Sequence, residues 1–418
     1  MDAPLPRHDD VSSMISVGEA RERVLSRIEP LAPLDLPLAA AFGCVLARDV
    51  AAKWELPPFA SSAMDGFAVR AEDVADASAD SPAFLKIAGR ALIGHEPEAD
   101  VGPAEAVRIA TGAPIPRGAD CVVPIEDVHA AADTVQVFFG SSPGKHVRPA
   151  GEEARTGDLL VSAGRRLGAP ELGLLASAGY GRAPVFPRPR VVVISTGDEL
   201  VEPGKPLGFG QIHESNAYLL AGALKEAGAQ PSLSGVVADD PNLLRSEVLS
   251  HLSSADVLIS TGGVSVGELD PVKAAFRDRG EVDFYRVAMQ PGMPQGFGII
   301  EGKPFFCLPG NPVSVFVSFE VFVRPALMKM MSRSQIDRPR LSAILTDDLS
   351  GPPHKTVFAR VAVAREDARW VATPSGGRGS NLIGSVARAN GLAVIPAGVD
   401  TLTAGTECQV MMFRSSEE

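Results

Sequence analysis

Three glycine-containing loops follow apolar runs in the middle of the chain, and each has the composition of a phosphate-binding loop. They are STGDEL at 195–200 after VVVI, TGGVSVGELD at 261–270 after DVLIS, and LPGNPVSV at 308–315 after PFFC. Glycine lets the backbone approach a ligand closely, and the N–H groups of such loops and of a following helix favour anionic oxygens. If the three loops lie at one edge of a sheet, they form one pocket for a phosphorylated ligand.

Acidic residues accompany these loops. Asp270 ends the second loop, Glu199 lies in the first, and Asp239 ends the run VVADD. A carboxylate beside a phosphate is repelled unless a divalent cation lies between them, so Asp270 predicts a bound Mg²⁺. The alternative is that Asp270 caps the helix that follows it, and of the two we favour the metal role. One of Asp239 and Asp240 is expected to be a plain helix N-cap, and we assign the ligand role to Asp239.

Composition limits the classes of protein to consider. The 418 residues suffice for about three domains. A net charge of −12 argues against a nucleic acid or an anionic membrane surface as the main partner, and it requires locally basic groups or a divalent cation at any polyanion site. The scattered cysteines, with no CxxC pair, favour a reducing cytosol. We find no signal peptide and no membrane-spanning pattern, and we expect a cytoplasmic protein.

Patterning predicts a multidomain α/β plus β protein. Ser16 and Glu19 form a capping box that opens a helix, which we expect to stop at Pro30. The middle of the chain alternates apolar strands with helices, which predicts a parallel sheet covered on both faces, with ligands at the carboxyl ends of its strands. The expected domains are 1–56 with 147–186 as a linking domain with a disordered tail at 1–12, 57–146 as an inserted β-rich domain, 187–331 as an α/β domain, and 332–418 as a β-domain.

Two further motifs make the pattern specific. SSAMDGFAVR at 61–70, RIATGAPIPRGAD at 108–120 and the three glycine loops, in this order, resemble the molybdopterin molybdenumtransferase family, which includes the E domain of gephyrin. The resemblance covers roughly residues 14–413. It implies an elongated linking domain, an inserted β-rich domain, a molybdopterin-binding three-layer α/β domain and a C-terminal β-barrel. It also implies an elongated homodimer whose active site is shared between subunits.

The implied reaction inserts molybdate into adenylylated molybdopterin, with Mg²⁺-dependent hydrolysis of the adenylate, and releases molybdenum cofactor and AMP. Catalytic residues carried over by motif are Asp65, Thr111, Glu199 and Asp270, with Asp270, Glu199 and Asp239 as metal ligands. By itself Asp65 would be an ordinary Asp-Gly turn, whereas the resemblance points it into the partner subunit's site. Expected substrate contacts are Ser195, Thr196, Gly197, Asp239, Gly262, Gly263, Ser265, Gly267, Arg286, Gln290, Pro309, Gly310, Asn311 and Ser380.

The chain departs from the family pattern at the run FYRVAMQPGMPQGFG. Gln290 and Met293 stand where the family usually has lysines, while Arg286 keeps one positive charge upstream. Loss of one charge-assisted hydrogen bond costs about 1.5 to 3 kcal/mol, which could weaken anion binding by an order of magnitude or more. Elsewhere Glu153 stands where the family often has aspartate.

Two other functions remain open on sequence grounds. One is a gephyrin-like dimeric scaffold that binds a short peptide of a tubulin-like division protein or a membrane-protein tail, with secondary or lost catalysis. The other is a generic phosphate-binding α/β protein, which would leave the SSAMDG and ATGAP motifs unexplained. As an enzyme, the chain would take its adenylylated substrate from a molybdopterin adenylyltransferase.

Overall fold

The computed structural model describes residues 14–263, 271–276 and 282–415, which form two compact units. The larger unit comprises the residues up to Leu34, the short piece Gly43–Val45 and the residues from Val185 onward. The smaller unit comprises Asp35–Phe42 and Leu46–Pro184. None of the described helices is long and apolar enough to cross a membrane.

The first helix confirms the predicted N-cap. Helix α1 spans Val17–Leu25, and the hydroxyl of Ser16 accepts a hydrogen bond from the backbone N–H of Glu19 at 3.1 Å. The helix ends at Leu25 rather than at Pro30. Beyond it the backbone N–H groups of Arg27 and Ile28 donate to the carbonyls three residues earlier, which is the pattern of a turn and not of an α-helix. Three apolar side chains of this segment are buried in the core of the larger unit: Ala20, Val24 and Ile28.

From Leu34 to Phe186 the chain consists mainly of short strands. In order, the elements are β1 (Leu34–Pro37), α2 (Leu38–Ala41), β2 (Val45–Leu46), β3 (Val50–Ala51), β4 (Ser61–Ser62), β5 (Gly66–Val69), α3 (Ala71–Val74), β6 (Ala83–Ala91), β7 (Glu105–Ile109), β8 (Cys121–Pro124), β9 (Val128–Ala130), β10 (Thr134–Val137), β11 (Val147–Arg148), β12 (Leu159–Val161), α4 (Ala169–Ser177) and β13 (Arg182–Phe186). Six of these strands form one sheet in the order β8-β5-β7-β6-β10-β9, which confirms the β-rich character expected of this region.

Gly66 shows why the SSAMDG motif needs a glycine. It begins β5, which lies between β7 and β8 in the sheet. A Cβ atom at this position would lie 2.0 Å from the carbonyl oxygen of Val123, so no other residue fits. The close approach fixes the position of Asp65, the preceding residue, at the start of a buried strand.

The next part of the larger unit is the predicted α/β domain. Its elements are β14 (Arg190–Thr196), β15 (Leu200–Val201), β16 (Ile212–His213), α5 (Asn216–Glu226), β17 (Gln230–Val237), α6 (Pro241–Ser250), β18 (Val257–Thr261), α7 (Pro271–Phe276), β19 (Val282–Arg286), β20 (Met289–Gln290), β21 (Pro294–Ile300), β22 (Lys303–Leu308), α8 (Pro312–Ser318), the π-helical turn Phe319–Val323 and α9 (Arg324–Met330). The main sheet has the strand order β17-β14-β18-β22-β21-β19.

This sheet is parallel only in part, which corrects the expectation of a parallel sheet. Strands β17, β14, β18 and β22 are mutually parallel, but β21 is antiparallel to β22, and β19 is antiparallel to β21. The reason is local: β21 and β22 are joined by a tight turn at Glu301 and Gly302, both with positive φ, so they can only form a hairpin.

Both faces of this sheet are covered, as the uninterrupted apolar strands predict. On one face Val191, Val193 and Ile259 pack into the core with α5 and α8. On the other face Val192 and Ile194 pack with α6 and α7. Neighbouring residues of one strand thus enter different cores, which confirms the three-layer architecture.

The last part of the chain closes into a β-barrel. Its elements are β23 (Arg340–Leu345), β24 (Leu349–Ser350), β25 (Thr356–Glu366), β26 (Arg369–Pro374), α10 (Ile383–Ala387), β27 (Gly391–Ile395), β28 (Thr401–Leu402) and β29 (Glu407–Met412). The strand order β25-β26-β23-β29-β27 is closed by pairing of β25 with β27, which confirms the predicted barrel. Strand β20 adds to it, because Met289 and Gln290 pair with Thr356 and Val357 of β25.

Candidate functional site

The glycine loops meet at one edge of the α/β sheet. Strands β17, β14, β18 and β22 are adjacent and parallel, so their carboxyl ends lie side by side. A cavity of about 640 Å³, which we call the loop cavity, opens at this edge. The expected substrate residues that line it are Thr196, Gly197, Glu199, Asp239, Gly262, Gly263, Pro309, Gly310 and Asn311.

Gly262 brings the backbone of the second loop close to that of the first. Its N–H donates to the carbonyl of Leu308 at 3.2 Å. Its φ is +90°, and a Cβ atom would lie 2.4 Å from the carbonyl oxygen of Thr196. Only glycine allows the three strand ends to approach in this way, and the backbone itself becomes part of the cavity wall.

The two aspartates after β17 have different roles. The hydroxyl of Thr196 donates to Asp239 Oδ1 at 2.5 Å, and the N–H of Asp239 donates to Asp198 Oδ1 at 3.2 Å. Asp240 is the N-cap of α6, since its carboxylate accepts the N–H groups of Asn242 and Leu243 at 2.8 and 2.9 Å. The expectation that one aspartate is a plain cap therefore holds, and Asp239 is the one that lines the cavity.

The charge of the loop cavity is negative. Glu199 and Asp239 line it and are both exposed. No lysine or arginine is found among the described residues of its wall, and Met293 lies where a lysine would have contributed a positive charge. His213 is the one basic side chain among the described residues of the wall, and a divalent cation would balance the charge of a polyanionic ligand more fully than one imidazole.

Ser195 lies below the cavity in a buried polar group that the sequence did not reveal. Its hydroxyl donates to Glu214 Oε1 at 3.2 Å and accepts from Thr261 Oγ1 at 3.4 Å. Glu214 is only 4% exposed and also accepts the N–H of Ala217 at 2.8 Å, near the start of α5. A neighbour, Asn216, donates its side-chain N–H to the carbonyl of Gly310 at 2.7 Å and lines the cavity. The signal for these residues was a run of polar residues, ESN, directly before an apolar helix.

Ser380, the remaining expected substrate contact near the loop cavity, does not itself line it. The carbonyl of Ser380 accepts the N–H of Val313 at 3.0 Å, which ties the GGRGSN loop to the start of α8. Asn381 and Ile383, rather than Ser380, line the loop cavity.

The two departures from the family pattern fall in different cavities. Met293 lines the loop cavity, whereas Gln290 lines a second one of about 340 Å³, which we call the barrel cavity. Arg286 is half-buried at the end of β19 and lines neither cavity in the described part of the chain. The other residues around the barrel cavity are Pro291, Leu349, Ser350, Gly351, Pro352, Val357, Phe358, Ala359, Arg360 and Arg378.

In the smaller unit, Asp65 and Thr111 are brought together although they are far apart in sequence. The N–H of Thr111 donates to Asp65 Oδ1 at 2.8 Å. Asp65 is exposed and Thr111 is half-buried, so the second carboxylate oxygen and the hydroxyl are available to a ligand. The pair joins the SSAMDG and ATGAP loops into one polar feature.

Three expected site residues, Ser265, Gly267 and Asp270, lie outside the described residues. Within the described ranges no three His, Cys, Asp or Glu side chains are close enough to form a metal cluster. Mg²⁺ is commonly held by one or two carboxylates together with substrate phosphates, so the oxygen ligands at Glu199 and Asp239 fit this ion.

Comparison with known proteins covers nearly the whole chain. Residues 15–179 match the model of the MoeA N-terminal region (domain I and II), residues 192–329 that of a probable molybdopterin binding domain, and residues 342–413 that of the MoeA C-terminal region (domain IV). The chain is 41% identical over 404 residues to molybdopterin molybdenumtransferase 2 of Mycobacterium tuberculosis (strain CDC 1551 / Oshkosh), covering 95% of this chain and 99% of that protein.

Further relatives agree with this match. The chain is 36% identical over 374 residues to molybdopterin molybdenumtransferase of Bacillus subtilis (strain 168), covering 88% of this chain and 87% of that protein. The solved structure of the molybdopterin biosynthesis moea protein from Pyrococcus horikosii has 33% identity and a TM-score of 0.80, covering 96% of this chain and 100% of the other.

Proposed function

The chain belongs to the molybdopterin molybdenumtransferase family, and we propose that its loop cavity is the place where adenylylated molybdopterin receives molybdenum. Its activity is that of the family: molybdate is inserted into adenylylated molybdopterin, and the adenylate is hydrolysed to give molybdenum cofactor and AMP. The observation that carries the proposal is the convergence of the three glycine loops on one cavity that two carboxylates line, with no lysine or arginine among its described residues.

The residues of the cavity suit a phosphorylated ligand in two ways. The backbone of Gly262 and Gly263 forms part of the wall, so N–H groups can reach phosphate oxygens without an intervening side chain. The buried hydroxyl network at Ser195, Thr261 and Glu214 holds this backbone in place from below. We expect ligand binding to depend on this support, because a loop displaced by about 1 Å would lose much of its catalytic effect.

The carboxylates define the second part of the proposal. Glu199 and Asp239, together with Asp270, would hold Mg²⁺. When bound, the ion would neutralise phosphate charge and polarise the P–O bond of the adenylate. Asp239 is already oriented by the hydroxyl of Thr196, and Glu199 is exposed at the cavity wall. The negative charge of the wall would thus be balanced by the bound cation.

We further propose that the protein is a homodimer in which Asp65 and Thr111 serve the site of the partner subunit, as the family resemblance implies. Large apolar side chains on the surface of the α/β domain support a subunit contact. Tyr218, Leu233 and Val236 are 52%, 40% and 42% exposed, and the latter two lie on the edge strand β17. We also propose a cytoplasmic location and supply of the substrate by a molybdopterin adenylyltransferase.

A direct assay tests the function. Purified protein is incubated with adenylylated molybdopterin, molybdate and Mg²⁺, and AMP release is followed by chromatography. We expect AMP from the wild type, and at least tenfold less from Glu199→Gln or Asp239→Asn or after addition of EDTA. Glu202→Gln is the matched control, because Glu202 is an exposed carboxylate of the same region that pairs with Lys205 and does not line the loop cavity.

Unchanged adenylate after prolonged incubation of the wild type with both ions would contradict the proposal. The names of the relatives give no support to the gephyrin-like scaffold, and we do not adopt it. If Glu199→Gln and Asp239→Asn were as active as the control, the family activity would stand. The assignment of these two carboxylates as metal ligands would then be wrong.

A further inference from the structure

The barrel cavity has polar groups that the proposed function does not yet use. It forms where β20 pairs with β25, and its volume is about 340 Å³. Four polar side chains line it: Gln290, Ser350, Arg360 and Arg378. Two of these are arginines, and none is an acid, so the charge of the described cavity wall is positive.

Arg360 has a buried positive charge without an acidic partner in the described part of the chain. The residue is 8% exposed. Its Nε donates to Ser385 Oγ at 3.0 Å, and a terminal nitrogen donates to the carbonyls of Gly377 and, at 3.5 Å, Gly379. These acceptors are all neutral. Burial lowers the pKa of Arg360 and no carboxylate opposes this shift, yet a guanidinium group stays protonated.

Gln290 adds no charge to this cavity. It ends β20, and its side-chain oxygen is buried without a hydrogen-bond partner among the described residues. A neutral amide therefore faces the same space as Arg360. An anion in the cavity could receive only neutral hydrogen bonds from the N–H groups of this amide.

Arg378 is the second cation of this cavity. It lies in the GGRGS loop between β26 and α10, is exposed, and donates to the hydroxyl of Ser350. No ion pair between Arg378 and a carboxylate is present within the described ranges. A neutral hydroxyl thus holds the guanidinium at the cavity, and an anion can replace that hydroxyl as the acceptor.

We propose that Arg378 supplies the second cationic contact, beside Arg360, to a tetrahedral oxyanion in the barrel cavity, a role that the neutral Gln290 does not fill. The proposal rests on the proposed function, which makes molybdate a substrate. A guanidinium group offers paired N–H donors to two oxygens of such an anion. Because Arg378 is exposed, its contribution should weaken as salt concentration rises.

The test measures anion binding directly, without turnover. Molybdate is titrated into the full-length protein at low ionic strength by calorimetry, with far-UV circular dichroism as a check on folding. We expect Arg378→Gln to bind molybdate about tenfold more weakly than the wild type and to show a smaller salt dependence. Arg365→Gln is the matched control, since Arg365 is an exposed arginine of β25 that does not line the cavity.

A second variant places a cation at another position of the cavity wall, Gln290. We expect Gln290→Lys, combined with Arg378→Gln, to recover most of the lost affinity, which a merely structural role of Arg378 would not allow. Wild-type affinity in Arg378→Gln, or no molybdate binding by the wild type, would overturn the proposal. Oxyanion binding without AMP release would instead count against the proposed function and leave this inference standing.

Discussion

Gly262 gives the sharpest test of the site, because one methyl group should be enough to disturb it. In Gly262→Ala the new Cβ would lie 2.4 Å from the backbone carbonyl oxygen of Thr196, and the residue would keep a φ of +90°. A positive φ costs an alanine about 1 to 2 kcal/mol. Forcing backbone apart adds about 1 to 3 kcal/mol. The expected loss of stability of the α/β domain is therefore about 2 to 5 kcal/mol.

Gly302→Ala separates the two contributions. Gly302 also has a positive φ, +79°, but no atom lies within 4 Å of the position of its Cβ. Only the cost of the backbone conformation, about 1 to 2 kcal/mol, is expected there. Urea unfolding followed by far-UV circular dichroism compares the two midpoints, and the AMP-release assay compares their activities.

We expect the wild type to be the most stable, Gly302→Ala to be less stable and Gly262→Ala to be the least stable. Activity should be lost only in Gly262→Ala. If both variants had the same midpoint and the same activity, the loops would tolerate a wider spacing. The close approach of the first two glycine loops would then not be a requirement of the site, and our account of the cavity would be wrong.

Two further predictions concern carboxylates. Asp65→Asn keeps an oxygen that can accept the N–H of Thr111, while Asp65→Ala removes it. We therefore expect Asp65→Asn to lower AMP release without changing the thermal midpoint, and Asp65→Ala to lower both, by about 1 kcal/mol in stability; equal midpoints would show that the bond is not structural. For Asp256, burial raises the pKa, but hydrogen bonds and charge from Arg190 outweigh it, so the pKa is lowered. The stability from this pair is present above the ordinary carboxyl pKa of about 3.9 and is lost as pH falls through the folded value. Asp256→Asn should lower the urea midpoint at pH 7, and below about pH 4 its midpoint should fall less steeply with pH than that of the wild type. The same fall in midpoint below about pH 4 in both proteins would contradict this.

Much of the fold follows from local pattern. The apolar strands of the α/β domain have no alternation because both of their faces are buried, and this was readable from VVVIS and DVLIS. Ser16 was recognisable as an N-cap because its partner is only three residues away. The convergence of the glycine loops could be predicted as well, since the carboxyl ends of parallel strands share one edge.

Other features depend on pairing between distant residues. The antiparallel direction of β21 and β19 was missed because a mixed sheet has the same apolar composition as a parallel one. Glu214 was missed because a glutamate before a helix is usually exposed, whereas here it is buried against Ser195. The strand direction has no signal within a window of a few residues, and the run ESN marks the polar residues beside α5 without showing that Glu214 is buried.

The sequence alone determined the classes of domain, the order of the motifs, the glycine loops and the family that they resemble. These depend on residue type and on short spacing, which the chain carries in linear form. Only the tertiary structure decided that Met293 faces the loop cavity while Gln290 faces the barrel cavity with Arg360 and Arg378. The two residues line different cavities because β20, which ends at Gln290, pairs with β25 of the barrel and is not a strand of the α/β sheet. Pairing between strands so far apart in sequence is set by the packing of whole domains.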